Sequence, residues 1–163
     1  MKWGGSGIEK VVYEFILKKI PAGSTIVEFG GGNVSTRVLG ERYKLYTIEH
    51  DTAWLNHIDY TTYIPAPIKD GWYDRKFLKG KLPTDIKMIL VDGPSGHGMW
   101  CRDGLLKNLD LFGDLRGTLF LLHDTWREGE RKLARQLASA IGCEAVFYEE
   151  GEPKDYWSTV GIK

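Results

Sequence analysis

The chain has 163 residues, of which 42% are hydrophobic and 27% are charged, with 22 basic and 22 acidic side chains. A length of about 150 residues is typical of one domain, and such a chain buries roughly 70% of its unfolded surface. The balanced charge excludes the strongly basic composition of a general nucleic-acid-binding protein. We therefore expect a single domain over residues 1–163 and no nucleic-acid partner.

The cysteine content and the hydropathy pattern bound the cellular setting. Cys101 and Cys143 cannot form a disulfide framework, and the sequence has no CxxC pair that would bind zinc. No apolar run approaches the roughly 20 residues that cross a bilayer, and the N-terminus lacks the apolar stretch of a signal peptide. The sequence predicts a reduced, cytoplasmic protein without a membrane partner.

The first half of the chain alternates helical and strand patterns. Apolar residues recur at helical spacing in the N-terminal region 1–22, and this predicted helix ends at Pro21 and Gly23. A second helix, capped by Asn33 or Ser35, runs to about residue 40, and a short third helix is expected over 52–57. Strands are predicted at 24–29, 43–49 and 60–64. Residues 68–83 are polar, aromatic and irregular, which predicts a long surface loop.

The second half continues the alternation. Strands are predicted at 86–91 and 118–122, and helices at 99–112 and 128–141. Two final strands, 144–148 and 157–162, are joined by a polar turn over 150–155. Nearly continuous apolar strands separated by helices predict an α/β fold, with a mostly parallel sheet covered on both faces and an antiparallel hairpin at one edge.

Polar residues follow four of the predicted strands at the point where each strand ends. These are Glu28 before the glycines 30–32, Glu49 with His50, Asp92, and His123 with Asp124. Because the carboxyl ends of parallel strands meet at one edge, these side chains should lie together. Each acid alone would be explained as a helix cap or a turn residue. Four together indicate a ligand site, since an unpartnered buried charge costs several kcal/mol.

The glycine turn and the acid after it predict a nucleoside site. Glu49 follows Glu28 by 49 − 28 = 21 residues, a spacing that places its carboxylate to bind a ribose diol. Nicotinamide-dependent enzymes use the same device. Two details argue against a dinucleotide: Ser35 stands where a third glycine is expected, and an acid precedes the turn.

These segments resemble the motifs of class I S-adenosylmethionine-dependent methyltransferases. The stretch Val27-Glu28-Phe29-Gly30-Gly31-Gly32 is similar to their first motif, Tyr46-Thr47-Ile48-Glu49-His50-Asp51 to their second, and Leu90-Val91-Asp92-Gly93-Pro94 to the motif beside the transferred methyl group. The resemblance implies a Rossmann-like methyltransferase domain and an enzyme of that class. It also implies S-adenosylmethionine as cofactor, bound by Glu28, Gly30, Gly31, Gly32, Glu49, His50 and Asp92.

A later segment suggests the methyl acceptor. Residues 82–130, which include VDGPSG and LHDTWREGE, are similar to plant-type methyltransferases acting on glucuronoxylan and to small-molecule sugar O-methyltransferases. This resemblance implies O-methylation of a hydroxyl on a saccharide or small molecule.

The chain departs from this family in being short, with no clear helix between strands three and four and no inserted substrate domain. The acceptor site is then expected in loop 68–83, in the N-terminal segment, or at a neighbouring subunit of a homo-oligomer. Acceptor-binding candidates near the open edge are Trp72, His97, Trp100 and Trp126, because aromatic faces stack on sugar rings. Ordinary core packing would also explain any one of these tryptophans.

Methyl transfer to a hydroxyl requires alignment of the two reactants and removal of a proton. His123, at the end of strand five and beside Asp92, is the predicted general base because imidazole titrates near neutral pH; His97 is the second candidate. A purely structural role for His123 explains the sequence equally well. A divalent cation on Asp92 and Asp124 is the less favoured alternative, since no third oxygen ligand is evident.

Two other functional classes remain open from the sequence. A nucleotide-binding oxidoreductase would share the glycine turn, but would not need the VDGP and HD segments. A non-catalytic, methyltransferase-like binding subunit would keep the fold and lose the cofactor contacts, whereas Glu28, Gly30, Gly32, Glu49 and Asp92 are all present.

Overall fold

A computed structural model describes residue 3 and residues 7–95, 102–149 and 156–161. Its elements, in chain order, are α1 (Lys10–Lys19), β1 (Thr25–Phe29), α2 (Ser35–Gly40), β2 (Lys44–Glu49), β3 (Thr62–Pro65), β4 (Ile68–Lys69), β5 (Trp72–Tyr73), α3 (Arg75–Leu78), β6 (Ile86–Val91), a 3₁₀ helix (Asp103–Phe112), β7 (Leu119–Leu122), α4 (Glu128–Ile141), β8 (Glu144–Tyr148) and β9 (Trp157–Gly161).

Seven strands form one sheet in the order β3-β2-β1-β6-β7-β9-β8. The pairs from β3 to β7 are parallel, and β9 runs antiparallel to both β7 and β8. This confirms the predicted α/β fold with antiparallel strands at the C-terminal edge. The last strand lies inside the sheet, and β8 forms the edge.

The central strand β6 shows why the sheet needs cover on both faces. Met88 and Leu90 pack on the face that carries α1 and α2, while Ile89 and Val91 pack on the face that carries α4 and the 3₁₀ helix. All four side chains are fully buried. Because successive side chains of a strand point to opposite faces, the apolar run 88–91 fits a strand buried on both sides, and Lys87 near the start of the strand is exposed.

Residues 68–83 do not form the predicted surface loop. They contain the hairpin β4–β5 and the short helix α3, so a helical turn does lie between the third and fourth predicted strands. Trp72, Tyr73 and Leu78 are buried in the core. Gly104 leaves room for this packing, since a Cβ there would lie 2.2 Å from the Cβ of Trp72. The polar composition of the segment led to the prediction of a surface loop, although three of its side chains lie in the core.

Two local predictions are also wrong. Residues 52–57 form turns, in which the Trp54 amide donates to the Asp51 carbonyl and the Ala53 amide donates to the Asp51 carboxylate. Helix α2 begins with Val34 at the N-cap and no side-chain cap, so neither Asn33 nor Ser35 caps it.

The remaining boundaries fall within two residues of the prediction, apart from the helix at 99–112. There a 3₁₀ helix covers Asp103–Phe112, and residues 96–101 lie outside the described part, as does the turn 150–155. Within the described ranges, no helix is long and apolar enough to span a membrane.

Candidate active site at the carboxyl edge of the sheet

A pocket of about 380 Å³ opens at the carboxyl edge of the sheet, where the sequence predicts the ligand site. Its walls come from the ends of four parallel strands and from Gly7, which precedes α1. The lining residues are Gly7, Gly30, Gly31, Glu49, His50, Asp51, Trp54, Asp92, Gly93, Ser95, Arg102, Asp124 and Arg127. The volume is within the range of sites that hold a small organic ligand.

The glycine turn after β1 packs directly against the end of β6. Gly30 has a φ of 90°, and a Cβ there would lie 2.7 Å from the Cα and N of Gly93. Positive φ and this close approach both require glycine. The turn and the strand-β6 end therefore form one continuous wall of the pocket. The Gly32 amide donates to the Thr36 hydroxyl at 2.9 Å.

Glu28 lies behind this wall and supports it. The side chain is fully buried, and its Oε2 accepts hydrogen bonds from the hydroxyls of Thr36 (2.7 Å) and Thr47 (2.8 Å). Burial raises the pKa of Glu28 to about 7, against the opposing effect of the hydroxyl donors. Thr36 links this carboxyl to the Gly32 amide, so Glu28 positions the turn rather than lining the pocket.

Glu49 closes the neighbouring wall at the end of β2. Its Oε2 accepts the Gly31 amide at 2.7 Å, and its Oε1 accepts the amides of His50 (2.6 Å) and Asp51 (2.8 Å). The Nδ1 atom of His50 lies 2.9 Å from the same Oε1. A carboxylate has about four acceptor positions. Three amides occupy three of them and orient Glu49, and His50 Nδ1 makes no hydrogen bond within the described residues, so one position is left for a ligand hydroxyl.

His123 joins the end of β7 to two carboxylates. Its Nδ1 lies 3.0 Å from Asp92 Oδ1, and its Nε2 lies 2.7 Å from Glu9 Oε2. Desolvation of the buried ring opposes its charge, but the Asp92 and Glu9 carboxylates outweigh this and raise its pKa to about 10. His123 is therefore an imidazolium at neutral pH, with both ring N–H groups donating.

This protonation state bears on the predicted chemistry. A general base needs an unprotonated nitrogen that faces the reacting group. Both nitrogens of His123 are bonded to carboxylates, so the ring in this arrangement has no site to accept a proton. The Asp92 carboxyl is desolvated, yet the adjoining His123 and Arg102 charges lower its pKa to about 2. The pair is an ion pair in this arrangement, so the general-base role of His123 stays a prediction that requires the ring to lose its proton.

Arg102 lies buried between the ends of β6 and β7. Its guanidinium donates to the backbone carbonyls of Asp92 and His123, and to Asp124 Oδ2 at 3.0 Å. Its Nε lies 3.9 Å from Oε1 of the buried Glu130. Arg127 adds a second contact to Asp124 Oδ2, at 3.3 Å. Two guanidinium groups thus compensate the carboxylates of this wall.

The same wall contains the predicted metal candidates. Ligand atoms of Asp92, His123 and Asp124 lie within 4.8 Å of one another. The donor set does not fit a divalent cation, however, because both His123 nitrogens bind carboxylates and Arg102 contacts Asp124 and the Asp92 backbone. A metal ligand must offer an unprotonated nitrogen. Arg102 supplies the positive charge that the two aspartates need.

The structure places the predicted acceptor residues in different environments. Trp72 is only 3% exposed and packs on Phe29, with ring centroids 5.0 Å apart, which makes it a core residue. Trp126 is 43% exposed, and the Arg127 guanidinium lies 5.1 Å from its ring. Its indole nitrogen approaches Asp124 at 3.4 Å, so it stands beside the pocket. His97 and Trp100 lie outside the described residues.

The side chains at this site that the sequence did not predict include Glu9, Trp54, Arg102 and Arg127. Trp54 comes five residues after Glu49, so an aromatic residue shortly after the acid predicted to bind a ribose is a usable signal. The two arginines could have been sought as counter-charges, because four acids at one buried edge require cations.

Comparisons with solved structures show which known proteins share this fold. No protein-family model matches the chain, and no curated protein matches its sequence. The C-terminal domain of precorrin-6Y C5,15-methyltransferase from Rhodobacter capsulatus superposes with a TM-score of 0.65 at 14% identity, covering 97% of this chain and 91% of that one.

Two further structures agree. A TehB-like SAM-dependent methyltransferase from Corynebacterium glutamicum gives a TM-score of 0.59 at 13% identity, covering 92% of this chain and 86% of that one. The SAH-bound methyltransferase PaMTH1 from Podospora anserina gives 0.51 at 14% identity, covering 86% and 72%. The chain has the Rossmann-like fold of these methyltransferases.

Proposed function

We propose that the protein is an S-adenosylmethionine-dependent methyltransferase whose cofactor occupies the pocket at the carboxyl edge. The observation that carries the proposal is the Glu49 carboxylate, which is bonded to the Gly31 amide of the glycine turn and forms part of the pocket wall. A turn and an acid held together in this way present a hydrogen-bonding carboxylate to a ribose diol. The methyltransferase folds described above are consistent with that use of the site.

The charge of the pocket favours a cationic cofactor. Among the described residues that line it, four carboxylates (Glu49, Asp51, Asp92 and Asp124) accompany two guanidinium groups (Arg102 and Arg127). The balance of −4 + 2 = −2 suits the sulfonium of S-adenosylmethionine. The pyrophosphate of a nicotinamide dinucleotide would meet carboxylates here, which disfavours the oxidoreductase alternative.

The walls also suggest how the cofactor lies. We assign the ribose to Glu49 and the adenine ring to the neighbouring Trp54, whose aromatic face suits stacking. The methionine part then extends past Gly30 towards Asp92, at the junction of the glycine turn and the end of β6. In this pose the ionised Asp92 carboxylate faces the positive end of the cofactor.

The acceptor is proposed to enter beside Trp126. An exposed indole next to Asp124 and Arg127 offers a stacking face together with hydrogen-bonding groups, which are the features that bind a saccharide or another hydroxylated small molecule. O-methylation of such a hydroxyl is the proposed reaction. The hydroxyl oxygen bonds to the methyl carbon as the carbon–sulfur bond breaks, S-adenosylhomocysteine leaves, and the hydroxyl proton passes to solvent water at the mouth of the pocket. Alignment of the hydroxyl with the methyl group in a partly dehydrated pocket supplies the catalysis, and His123 is not assigned the role of base.

Calorimetry with S-adenosylmethionine, S-adenosylhomocysteine and NAD⁺ tests the cofactor. We expect the first two to bind and NAD⁺ not to bind. Because a charge-assisted hydrogen bond contributes about 1.5–3 kcal/mol, Glu49→Ala should weaken S-adenosylmethionine binding roughly 10- to 150-fold.

Glu14→Ala is the matched control, since Glu14 lies on α1 with its side chain half exposed and pairs only with Lys10 at 3.4 Å among the contacts described. NAD⁺ binding in preference to both methionine cofactors would favour the oxidoreductase. Absence of binding by all three would favour the non-catalytic subunit. Unchanged affinity in a folded Glu49→Ala protein would remove Glu49 from the site.

Metal dependence is a separate prediction. Because Arg102 already supplies the cation between the strand ends, we expect cofactor affinity to be the same in EDTA and in excess Mg²⁺. The unfolding midpoint should also be unaffected by Mg²⁺, since a cation bound only by the native state would raise it. A midpoint that rises with Mg²⁺ concentration would restore the metal alternative.

A further inference from the structure

Among the described residues of the site, Glu9 makes the contact that spans the most sequence. It stands at the N-cap of α1, where its side chain makes no capping hydrogen bond. The carboxylate instead accepts from His123 Nε2 at 2.7 Å, across 114 residues of sequence. Ser, Thr, Asp and Asn are the residues that cap helices well. Helix capping therefore does not account for a glutamate at this position, whereas the contact with His123 does.

The two residues before Glu9 connect this contact to the pocket. Ile8 is fully buried among the side chains under α1, and Gly7 lines the pocket. The segment 7–9 is thus fixed by an apolar anchor and by an ion pair. Glu9 therefore lies two residues along the chain from the pocket wall.

His123 connects Glu9 to Asp92 through its two ring nitrogens. The ring donates to Glu9 on one side and to Asp92 Oδ1 on the other, and the line of contacts fixes the ring plane. Asp124 Oδ1 also lies 3.7 Å from Nδ1, and the Arg102 guanidinium donates to the His123 carbonyl. His123 and Arg102 both approach Oδ1 of Asp92, and we therefore assign Oδ2 to the ligand.

We propose that Glu9 is a positioning residue for the methyl transfer, acting through His123 to aim the Asp92 carboxylate at the positively charged end of the cofactor. The inference rests on the proposed function. Glu9 does not touch the cofactor in this scheme. It determines the orientation of the imidazolium, and the imidazolium determines which oxygen of Asp92 faces the pocket.

The two methionine cofactors distinguish positioning from simple structural support. S-adenosylmethionine carries a sulfonium charge that S-adenosylhomocysteine lacks, while the rest of the two molecules is shared. A misaimed Asp92 carboxylate should therefore weaken the first ligand more than the second. A general loosening of the pocket would weaken both by the same factor.

The experiment is calorimetry of both ligands with wild type, Glu9→Gln and Glu9→Ala. The glutamine is isosteric and keeps a neutral acceptor for His123, whereas alanine removes the acceptor. We expect S-adenosylmethionine affinity to fall about 3- to 10-fold in Glu9→Gln and about 10- to 50-fold in Glu9→Ala. S-adenosylhomocysteine affinity should change no more than about 2-fold. Glu14→Gln, on the exposed side of the same helix, is the control and should match wild type.

Asp92→Asn supplies the second measurement. Like the Glu9 variants, it should lower the affinity for S-adenosylmethionine relative to the affinity for S-adenosylhomocysteine. Adding Glu9→Gln to Asp92→Asn should then lower this ratio no further, since both changes act on one interaction. An unchanged ratio in both Glu9 variants would overturn the inference, as would additive effects with Asp92→Asn. Loss of the folded state in both variants would also overturn it, by showing a structural role. Failure of wild type to bind either ligand would instead contradict the proposed function.

Discussion

Replacement of Arg102 by methionine should lower the free energy of unfolding by about 3–5 kcal/mol, the usual cost of removing one partner from a buried ion pair. The Arg102 side chain is 3% exposed and lies within 4 Å of Asp92, Asp124 and Glu130. Methionine preserves most of the buried stem and removes the charge. Arg127 also contacts Asp124 and Glu130, but it cannot replace the hydrogen bonds that Arg102 makes to the two strand-end carbonyls.

Chemical denaturation of Arg102→Met and Arg116→Met provides the comparison. Arg116 also pairs with an aspartate, Asp114, at 2.7 Å, but its side chain is 88% exposed, so its loss should leave the unfolding curve close to wild type. Arg102→Lys should be intermediate, because a single ammonium keeps the charge but cannot bridge both carbonyls and Asp124. Equal unfolding free energies for Arg102→Met and wild type would show that the cluster is not stabilised by this cation.

The elements that the sequence predicted best are those whose pattern does not depend on distant residues. Strand β6 is apolar at every position except Lys87, and α4 repeats apolar residues at helical spacing over 14 residues. Both have the predicted boundaries. The segment 68–83 was predicted wrongly because its burial is decided by tertiary packing: Trp72 is in the core because Gly104 leaves space for it.

The residues of the site also divide into those that a local pattern predicts and those that depend on tertiary contacts. Glycines 30 and 31 and the acids Glu49 and Asp92 were found because strand ends of a parallel sheet converge on one edge. The behaviour of His123 could not be predicted, since it depends on Glu9, which is 114 residues away in sequence. Arg102 likewise resembles any surface arginine until the topology places it between β6 and β7. Long-range ion pairing is invisible to a local pattern.

His123 should make the protein less stable in alkali. Its pKa is about 10 in the folded state and about 6.5 in an unfolded chain. Below pH 6.5 both states hold the proton and the stabilisation is complete. Between 6.5 and 10 the unfolded state releases the proton first, so the free energy of unfolding falls by about 1.4 kcal/mol per pH unit for this group.

Burial raises the pKa of Glu28 from 4.5 to about 7 in the folded state. The stability that Glu28 contributes is therefore lost mainly between pH 4.5 and 7. Between pH 7 and 10, the change in the free energy of unfolding that these two groups cause comes from His123. Denaturant unfolding from pH 6 to pH 10 should therefore show His123→Gln most destabilised at pH 6–7, by about 3–5 kcal/mol, because Glu9 and Asp92 lose their shared cation in this variant. The difference from wild type should shrink as the pH approaches 10. His57→Gln, at an exposed histidine, should follow the wild-type profile. A difference between His123→Gln and wild type that stays constant from pH 6 to 10 would show that the ring is neutral in the folded protein, and His123 would then again be available as a base.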